Sequence, residues 1–193
     1  MKRRKFLKTG ALGMAIPTSV FGKEVPKRNK NNPVIVSTHP VGMRANKEAL
    51  KALQNNGSAL DAVEAGARIS EADPDDNYVG IGGLPDEQGN VTLDACIMDH
   101  NGDCGSVAFI QNIMHPVSVA RKVMEDTKHV MLAGKGATQF AVSKGFKEIN
   151  LLTDDARKQW KDWEKNRIET TPHEPTDTVS ILAQDKDGNM SGA

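Results

Sequence analysis

The residues with the clearest chemical potential are Asp177 and Thr178, at the point where a linker meets a predicted strand. A threonine hydroxyl is a weak nucleophile and needs a base beside it. If the Asp177–Thr178 peptide bond were cut, the new α-amine of Thr178, with an ordinary pKa of about 8, would serve as that base. Nucleophile and base in one residue would support acyl transfer. An Asp-Thr pair also fits an ordinary linker before a strand, and on the junction alone that simpler interpretation is favoured.

A glycine-rich loop, Gly80-Ile81-Gly82-Gly83, raises the alternative of nucleotide binding. Its spacing is neither that of the G-x-G-x-x-G fingerprint nor that of a P-loop, and Pro85 prevents a helix from starting directly behind it. Glycines that let two backbone segments pass closely are therefore the favoured interpretation.

The histidines and cysteines do not have the spacing of a metal site. Two cysteines, Cys96 and Cys104, could form a disulfide, but Cys96 lies in an apolar strand-like run and is expected to be a free, buried hydrophobe. The five histidines are scattered without i, i+4 pairing, so each is expected to be structural or at the surface: His39, His100, His115, His129 and His173.

The first residues have the anatomy of an export signal. Arg3 and Arg4 precede Phe6-Leu7-Lys8, a modestly apolar run covers residues 9–21, and a charged stretch follows at residues 23–30. The arginine pair favours the twin-arginine route and hence a periplasmic location. The apolar run is too short and too broken to predict a permanent membrane span. A basic tail is the simpler alternative.

The composition excludes several classes of partner. Lys plus Arg and Asp plus Glu are 25 each in 193 residues, so no net charge would attract nucleic acid or an anionic membrane. Hydrophobic residues make up 38% and aromatic residues 4% of the chain. These values are typical of a soluble α/β protein.

The elements that would position Thr178 alternate between helices and strands, which predicts a layered α/β domain. Predicted strands cover residues 33–38, 91–98, 106–110, 130–132 and 178–183. Ser58 is expected to cap a helix, with Asp61 in its first turn. Predicted helices cover residues 46–55, 59–72, 116–126, 136–143 and 154–166. Residues 169–175 break all periodicity and predict an exposed linker.

Several segments, in order, resemble the bacterial glycosylasparaginases (aspartylglucosaminidases), a family of N-terminal nucleophile hydrolases. The resemblance covers residues 34–193. It is more specific than any single motif because several segments occur in the same order. The segments that carry it are Ala59-Leu60-Asp61-Ala62-Val63-Glu64-Ala65-Gly66, Glu71-Ala72-Asp73-Pro74, Gly82-Gly83-Leu84-Pro85-Asp86, Val91-Thr92-Leu93-Asp94-Ala95-Cys96-Ile97-Met98-Asp99, Gly105-Ser106-Val107-Ala108 and the stretches 116–125 and 129–132.

The resemblance implies an α/β fold of the αββα four-layer sandwich type, incomplete in this chain. It divides the sequence into a signal and linker (1–30), an α-subunit region (31–177) and the start of a β-subunit (178–193). It implies self-cleavage between Asp177 and Thr178, followed by attack of Thr178 on the side-chain amide of N-acetylglucosaminyl-asparagine. No metal or organic cofactor is implied. The implied partners are the rest of the β-subunit and further αβ units in a homo-oligomer.

Three residues depart from the family's pattern near the site. Thr176 replaces a histidine and Ser180 replaces a glycine of the usual His-Asp-Thr-Ile-Gly, and His39 stands where bacterial relatives have a tryptophan near the substrate. Only 15 residues follow Thr178. We therefore expect this polypeptide alone to be inactive and marginally stable, because the resemblance assigns substrate-binding and oxyanion groups to the remainder.

Three alternatives stay open at this point. An isoaspartyl peptidase or L-asparaginase would use the same nucleophile on other β-aspartyl amides. A twin-arginine signal is common on redox proteins, although no haem, iron–sulfur, flavin or molybdenum ligand pattern occurs in the sequence. A truncated homologue that works as a non-catalytic periplasmic module is the third alternative.

Overall fold

The computed structural model describes residues 32–38, 42–166 and 178–193. Asp177, Thr176, His39, the signal and the linker therefore lie outside the described residues. Five helices are described: α1 (Gly42–Gln54), α2 (Ala59–Glu71), α3 (Pro116–Asp126), α4 (Gly134–Ser143) and α5 (Asp154–Asn166). The described strands are β1 (Val34–Ser37), β2 (Thr92–Met98), β3 (Cys104–Gln111), β4 (Met131–Ala133), β5 (Ile181–Gln184) and β6 (Met190–Gly192).

The six strands form one sheet in the order β1-β5-β6-β2-β3-β4. Neighbouring strands are antiparallel except β3 and β4, which are parallel and joined by the crossover helix α3. The last two strands in the chain thus sit in the middle of the sheet, between the first strand and the β2–β3 hairpin. This arrangement puts the segment that begins at Thr178 next to the end of β1 and one strand away from β2.

One face of the sheet is covered by helices. Helix α2 lies against β5 and β6, and α3 lies against β2 and β3. Alternate strand residues point toward these helices, as the pleat of a strand requires. They form a single core with small helix residues; its members include Leu93, Ile97, Val107, Ile110 and Ile181 from the strands and Ala45, Ala49, Ala62, Val63, Val119, Ala120 and Val123 from the helices.

The other face of the sheet is open and largely apolar. Val36, Met98 and Leu182 are 58%, 49% and 60% exposed, and Met190 on β6 is 61% exposed. The described residues therefore build two layers, one of strands and one of helices. The predicted α/β class is confirmed at this level, and the four-layer sandwich stays a prediction.

Local signals in the sequence predicted most of these elements. Ser58 caps α2: its Oγ accepts the Asp61 N–H at 3.2 Å, and the Asp61 carboxylate accepts the Ser58 N–H at 2.8 Å. Pro116 occupies the first turn of α3, where its missing N–H is harmless. The glycine loop also behaves as expected, because a Cβ on Gly80 would lie 2.0 Å from the Glu71 carbonyl oxygen.

Two expectations were wrong. The strand predicted to begin at Thr178 begins at Ile181, because Ile181 is the residue that exchanges backbone hydrogen bonds with Ala193. Cys96 is free, as expected, but it is exposed rather than buried. It occupies an outward position of β2, and the run in which it lies alternates between the two faces of the sheet. Strand β6 was not predicted at all.

Candidate functional site

Thr178 lies at the wall of a cavity of about 550 Å³. It is exposed and directly precedes β5, together with Val179 and Ser180, which also line the cavity. The backbone of this segment is held in place two residues beyond Thr178. The Ser180 N–H donates to Thr38 Oγ1 at 2.9 Å, and the Thr38 N–H donates to the Ser180 carbonyl at 3.0 Å. Strand β1 therefore fixes the approach of Thr178 to the sheet.

The opposite wall is the edge of β2. Thr92, Asp94 and Cys96 point away from the helices, and Ser106 on β3 continues this polar surface. Asp94 has a structural task as well: its Oδ1 accepts the Phe109 N–H at 2.6 Å. Phe109 has a positive φ of 54°, at the point where the β2–β3 register shifts. The carboxylate thus stabilises a bulge and stays beside the cavity.

The floor of the cavity is the junction of α2 and α3. Glu71, at the end of α2, is 5% exposed, and its Oε1 accepts the Val117 N–H of the first turn of α3 at 2.8 Å. Its Oε2 lies 3.1 Å from His115 Nδ1. Burial raises the pKa of Glu71. The hydrogen bonds from His115 and Val117 and the charge of Arg68 act in the opposite direction but do not cancel this rise. This carboxyl joins two helices beneath the site.

The rim of the cavity is formed by the glycine loop. Tyr78 and Gly80 line it, and the Ile81 N–H donates to the Glu71 carbonyl at 2.9 Å. Gly80 has a φ of 70°, which favours glycine. The loop that suggested nucleotide binding is thus held against the end of α2, where it presents a tyrosine to the cavity.

One predicted site residue belongs to the described residues, and it lines this cavity. Thr178 lies there, whereas Asp177 and His39 are outside the described residues. Asp94, Glu71 and Tyr78 were missed, and Glu71 and Tyr78 look ordinary in the sequence. The one available signal was Asp94, a carboxylate inside an otherwise apolar strand.

The cavity brings together hydroxyl and carboxylate side chains, a set compatible with acyl-transfer chemistry. A threonine lines one side of the cavity, and carboxylate and hydroxyl side chains from β2 and β3 line another. Within the described ranges, no three His, Cys, Asp or Glu side chains are grouped closely enough to hold a metal ion. In the same part of the chain, no helix is both long and apolar enough to cross a bilayer.

Comparison with known proteins gives a consistent result. Residues 23–193 match the asparaginase family. The chain is 50% identical over 172 residues to the N(4)-(beta-N-acetylglucosaminyl)-L-asparaginase of Elizabethkingia miricola, covering 86% of this chain and 49% of that protein. It is 37% identical over 163 residues to an isoaspartyl peptidase/L-asparaginase of Xenopus laevis, covering 81% and 52%.

A shorter match is with a plant-type L-asparaginase of Pyrococcus furiosus, 46% identical over 115 residues, which are 59% of this chain and 37% of that protein. The chain spans about half the length of the curated relatives that it matches over most of its own length. Because the family match covers nearly all of the chain beyond the proposed signal, this chain belongs to the asparaginase family of hydrolases.

Proposed function

We propose that this chain supplies the nucleophile-bearing half of an amidohydrolase that cleaves the side-chain amide of N-acetylglucosaminyl-asparagine. The observation that carries the proposal is the position of Thr178, exposed at a cavity wall next to a sheet. The relative from E. miricola, which is named for this reaction and is 50% identical, supports the choice of substrate. The chain spans about half the length of that relative, so the activity is proposed for the whole protein and not for this chain alone.

In the proposed reaction Thr178 acts as an N-terminal nucleophile. Its α-amine accepts the hydroxyl proton while Oγ1 attacks the side-chain amide carbon of the substrate. The C–N bond breaks, the proton passes to the leaving nitrogen, and an aspartyl ester remains on Thr178. Water then hydrolyses this ester, which releases aspartate and restores the hydroxyl. No redox step occurs.

The N-terminus of Thr178 would be created by the same hydroxyl. Before cleavage, Oγ1 attacks the Asp177 carbonyl carbon, and an N–O acyl shift converts the peptide bond to an ester. Water hydrolyses the ester and separates residues 31–177 from the segment that begins at Thr178. The anchoring of Ser180 to Thr38 supports this step, because it holds the segment just beyond the bond that breaks.

We further propose export through the twin-arginine route, with residues 1–30 as signal and linker and the periplasm as the place of action. In the complete protein, a second sheet of the αββα fold would cover the open apolar face. The exposed Val36, Met98 and Leu182 support this arrangement, since monomeric proteins rarely expose large apolar patches.

A second candidate function is that of an isoaspartyl peptidase or L-asparaginase. The relatives from X. laevis and from Arabidopsis thaliana carry these names, the latter at 36% identity over 166 residues. The nucleophile and the aspartyl ester would be the same, and only the leaving group would differ. Rates on glycosylated asparagine, on a β-aspartyl dipeptide and on asparagine decide between the two functions.

The first test is the intact mass and N-terminal sequence of the protein, expressed with any coding sequence that continues it. We expect a fragment that begins Thr178-Val179-Ser180-Ile181. Thr178→Ala should leave the chain uncut and lower hydrolysis by at least about 10³-fold, since it removes the nucleophile. Thr178→Ser, the matched control, keeps a hydroxyl and should retain measurable cleavage. An active, uncut Thr178→Ala protein would refute the proposal.

A further inference from the structure

Two asparagines of the sequence are followed by a glycine, Asn56 and Asn101. An Asn-Gly bond is chemically labile, because glycine has no side chain to shield its nitrogen or to restrict its backbone. That nitrogen can attack the asparagine Cγ, which releases ammonia and closes a five-membered succinimide. The surrounding structure decides whether the peptide can rotate into the geometry of this attack. The two pairs therefore provide a comparison within one chain.

Asn101 and Gly102 form the tip of the hairpin that joins β2 to β3, and both are exposed. Gly102 has a φ of 89°. Apart from its two neighbours in the chain, no described residue has an atom within 4 Å of a Cβ placed on it. Its N–H donates to the Asp99 carbonyl at 3.2 Å. Rotation of the Asn101–Gly102 peptide thus opens that bond and displaces no packed neighbour.

Asn56 and Gly57 are held more firmly, between α1 and α2. Asn56 has a φ of 64°, and the Gly57 N–H donates to the Ala52 carbonyl at 2.9 Å, which closes the end of α1. A Cβ on Gly57 would lie 2.7 Å from the same oxygen. Ser58, the next residue, caps α2. Rotation of the Asn56–Gly57 peptide would therefore disturb the end of one helix and the cap of the next.

We propose that Asn101 is a site of spontaneous deamidation and that this change weakens the turn between β2 and β3. The Gly102 nitrogen bonds to Asn101 Cγ, the Cγ–Nδ2 bond breaks, and ammonia leaves with the proton that the Gly102 nitrogen loses. Water then opens the succinimide at either carbonyl carbon, which gives aspartate or isoaspartate at position 101. The proposal concerns this turn and does not depend on the proposed substrate.

The hydrogen bonds of Asp99 explain why the new carboxylate weakens the turn. Its Oδ1 accepts the N–H of Asn101 at 2.8 Å and that of Asp103 at 3.0 Å, and its Oδ2 accepts Asn101 Nδ2 at 3.1 Å. Deamidation replaces the Nδ2 donor by an acceptor, so this last bond is lost. A third carboxylate then lies close to Asp99 and Asp103, and like charges repel each other. Isoaspartate also adds a methylene to the backbone, which displaces the donors beyond it.

The turn between β5 and β6 shows what is particular to the β2–β3 turn. It has the same hydrogen bonds, because Asp185 Oδ1 accepts the N–H of Asp187 and that of Asn189. An aspartate is thus compatible with the third position of such a turn. The fifth residue there is the neutral Asn189, and Lys186 supplies a positive charge. In the β2–β3 turn the fifth residue is Asp103, so the new carboxylate would be the third in five residues.

Peptide mass spectrometry of the incubated chain tests the site. Folded chain and chain unfolded in guanidinium chloride are kept at the same mildly alkaline pH, and deamidation is measured at both asparagines. The ratio of the unfolded to the folded rate removes the effect of neighbouring sequence. We expect this ratio to be at least about tenfold larger at Asn56 than at Asn101, because reaction at Asn56 requires more hydrogen bonds to open. Equal ratios, or a larger ratio at Asn101, would overturn the proposal.

Hydrogen exchange tests the weakening of the turn. Asn101→Asp introduces the charge, and Asn101→Ser, the matched control, removes the Nδ2 bond without adding a charge. The Asp103 amide should exchange roughly twofold or more faster in Asn101→Asp than in Asn101→Ser, because like charges destabilise paired strands. The Asp187 amide, in the other turn, is the internal reference. Exchange at Asp103 that is no faster in Asn101→Asp than in the control would overturn this part of the proposal.

Discussion

Thr178 and Asp94 lie on opposite walls of one cavity, and hydrogen bonds that involve the backbone hold both in position. Ser180 bonded to Thr38 orients the segment that carries Thr178, and the Phe109 N–H orients Asp94. Glu71 lies beneath them as a buried carboxyl that joins α2 to α3. These residues differ in their surroundings, because Thr178 is exposed, whereas Glu71 is buried between the two helices.

Replacing Glu71 tests that assignment through the pH dependence of stability. Burial raises the pKa of Glu71 in the folded protein, so the folded state binds a proton more tightly than the unfolded state. Stability from this group is present below the ordinary pKa of a glutamate, about 4.3, and is lost as pH rises through the raised value. Glu71→Gln keeps an acceptor for the Val117 N–H but cannot ionise, so it should lose less stability over this range.

Urea unfolding at pH 4 and at pH 7 measures the difference. The free energy of unfolding of the parent chain, minus that of Glu71→Gln, should fall as pH rises. Glu71→Ala, which also removes the acceptor, should be less stable than Glu71→Gln at both values. A difference that rises with pH would show that the ionised form of Glu71 is the one favoured by folding.

At the scale of elements, close contacts between backbones position the site. Helix α3 crosses β3 at Gly105, where an added Cβ would lie 2.1 Å from the Ala120 carbonyl oxygen and 2.7 Å from the Met124 nitrogen. On its other side, α3 is tied to α2 by Arg121, whose Nη1 lies 2.7 Å from both Asp61 and Glu64. The end of α3 that meets Glu71 is therefore held by contacts along the whole helix.

Gly105→Ala should separate α3 from the sheet. Because the conflicting atoms belong to the backbone, the strain cannot be relieved by a rotamer, and we expect a loss of about 2 kcal/mol or more in unfolding free energy. Gly136→Ala is the matched control, since nothing lies within 4 Å of its added Cβ and it sits in α4. That change should stabilise the chain by about 0.5–1 kcal/mol. Chemical denaturation of the two variants compares them, and equal effects would contradict the assigned contact.

For the whole molecule, the decisive feature is the apolar face that none of the described helices covers. Leu182 and Met190 from the centre of the sheet and Val36 from its edge are each more than half exposed. A single layer of helices covers only one side of a sheet, and the other side usually packs against another layer. The 193-residue chain by itself should therefore associate through this face.

Leu182→Lys tests this expectation. A charge in the middle of the face should shift the chain from associated species toward monomer, as sedimentation velocity would measure, because apolar contact between copies would then require burial of an ammonium group. Met43→Lys is the control: Met43 is 77% exposed on α1, away from the sheet. A chain that is already monomeric at all concentrations would contradict the prediction.

Local features of the sequence were sufficient to predict most of the helices and strands. The order of several segments was sufficient to identify the family. Ser58 with Asp61, Pro116, and alternation in residues 91–98 act within a few neighbouring residues, so they can be recognised without a structure. The ordered segments that resemble glycosylasparaginases identified the family, and Thr178 was selected from that resemblance and from nucleophile chemistry. The role of Thr178, the export signal and the four-layer fold remain predictions.

Only the tertiary structure decided what surrounds Thr178. Asp94, Glu71 and Tyr78 are far from it in the sequence and meet it at one cavity because β5 and β6 insert between β1 and β2. The same insertion determines where β5 begins, because Ile181 is the residue that pairs with Ala193. Strand order depends on pairings between distant segments, and these follow from the packing of the complete core, so the pattern of residues near each segment does not contain them.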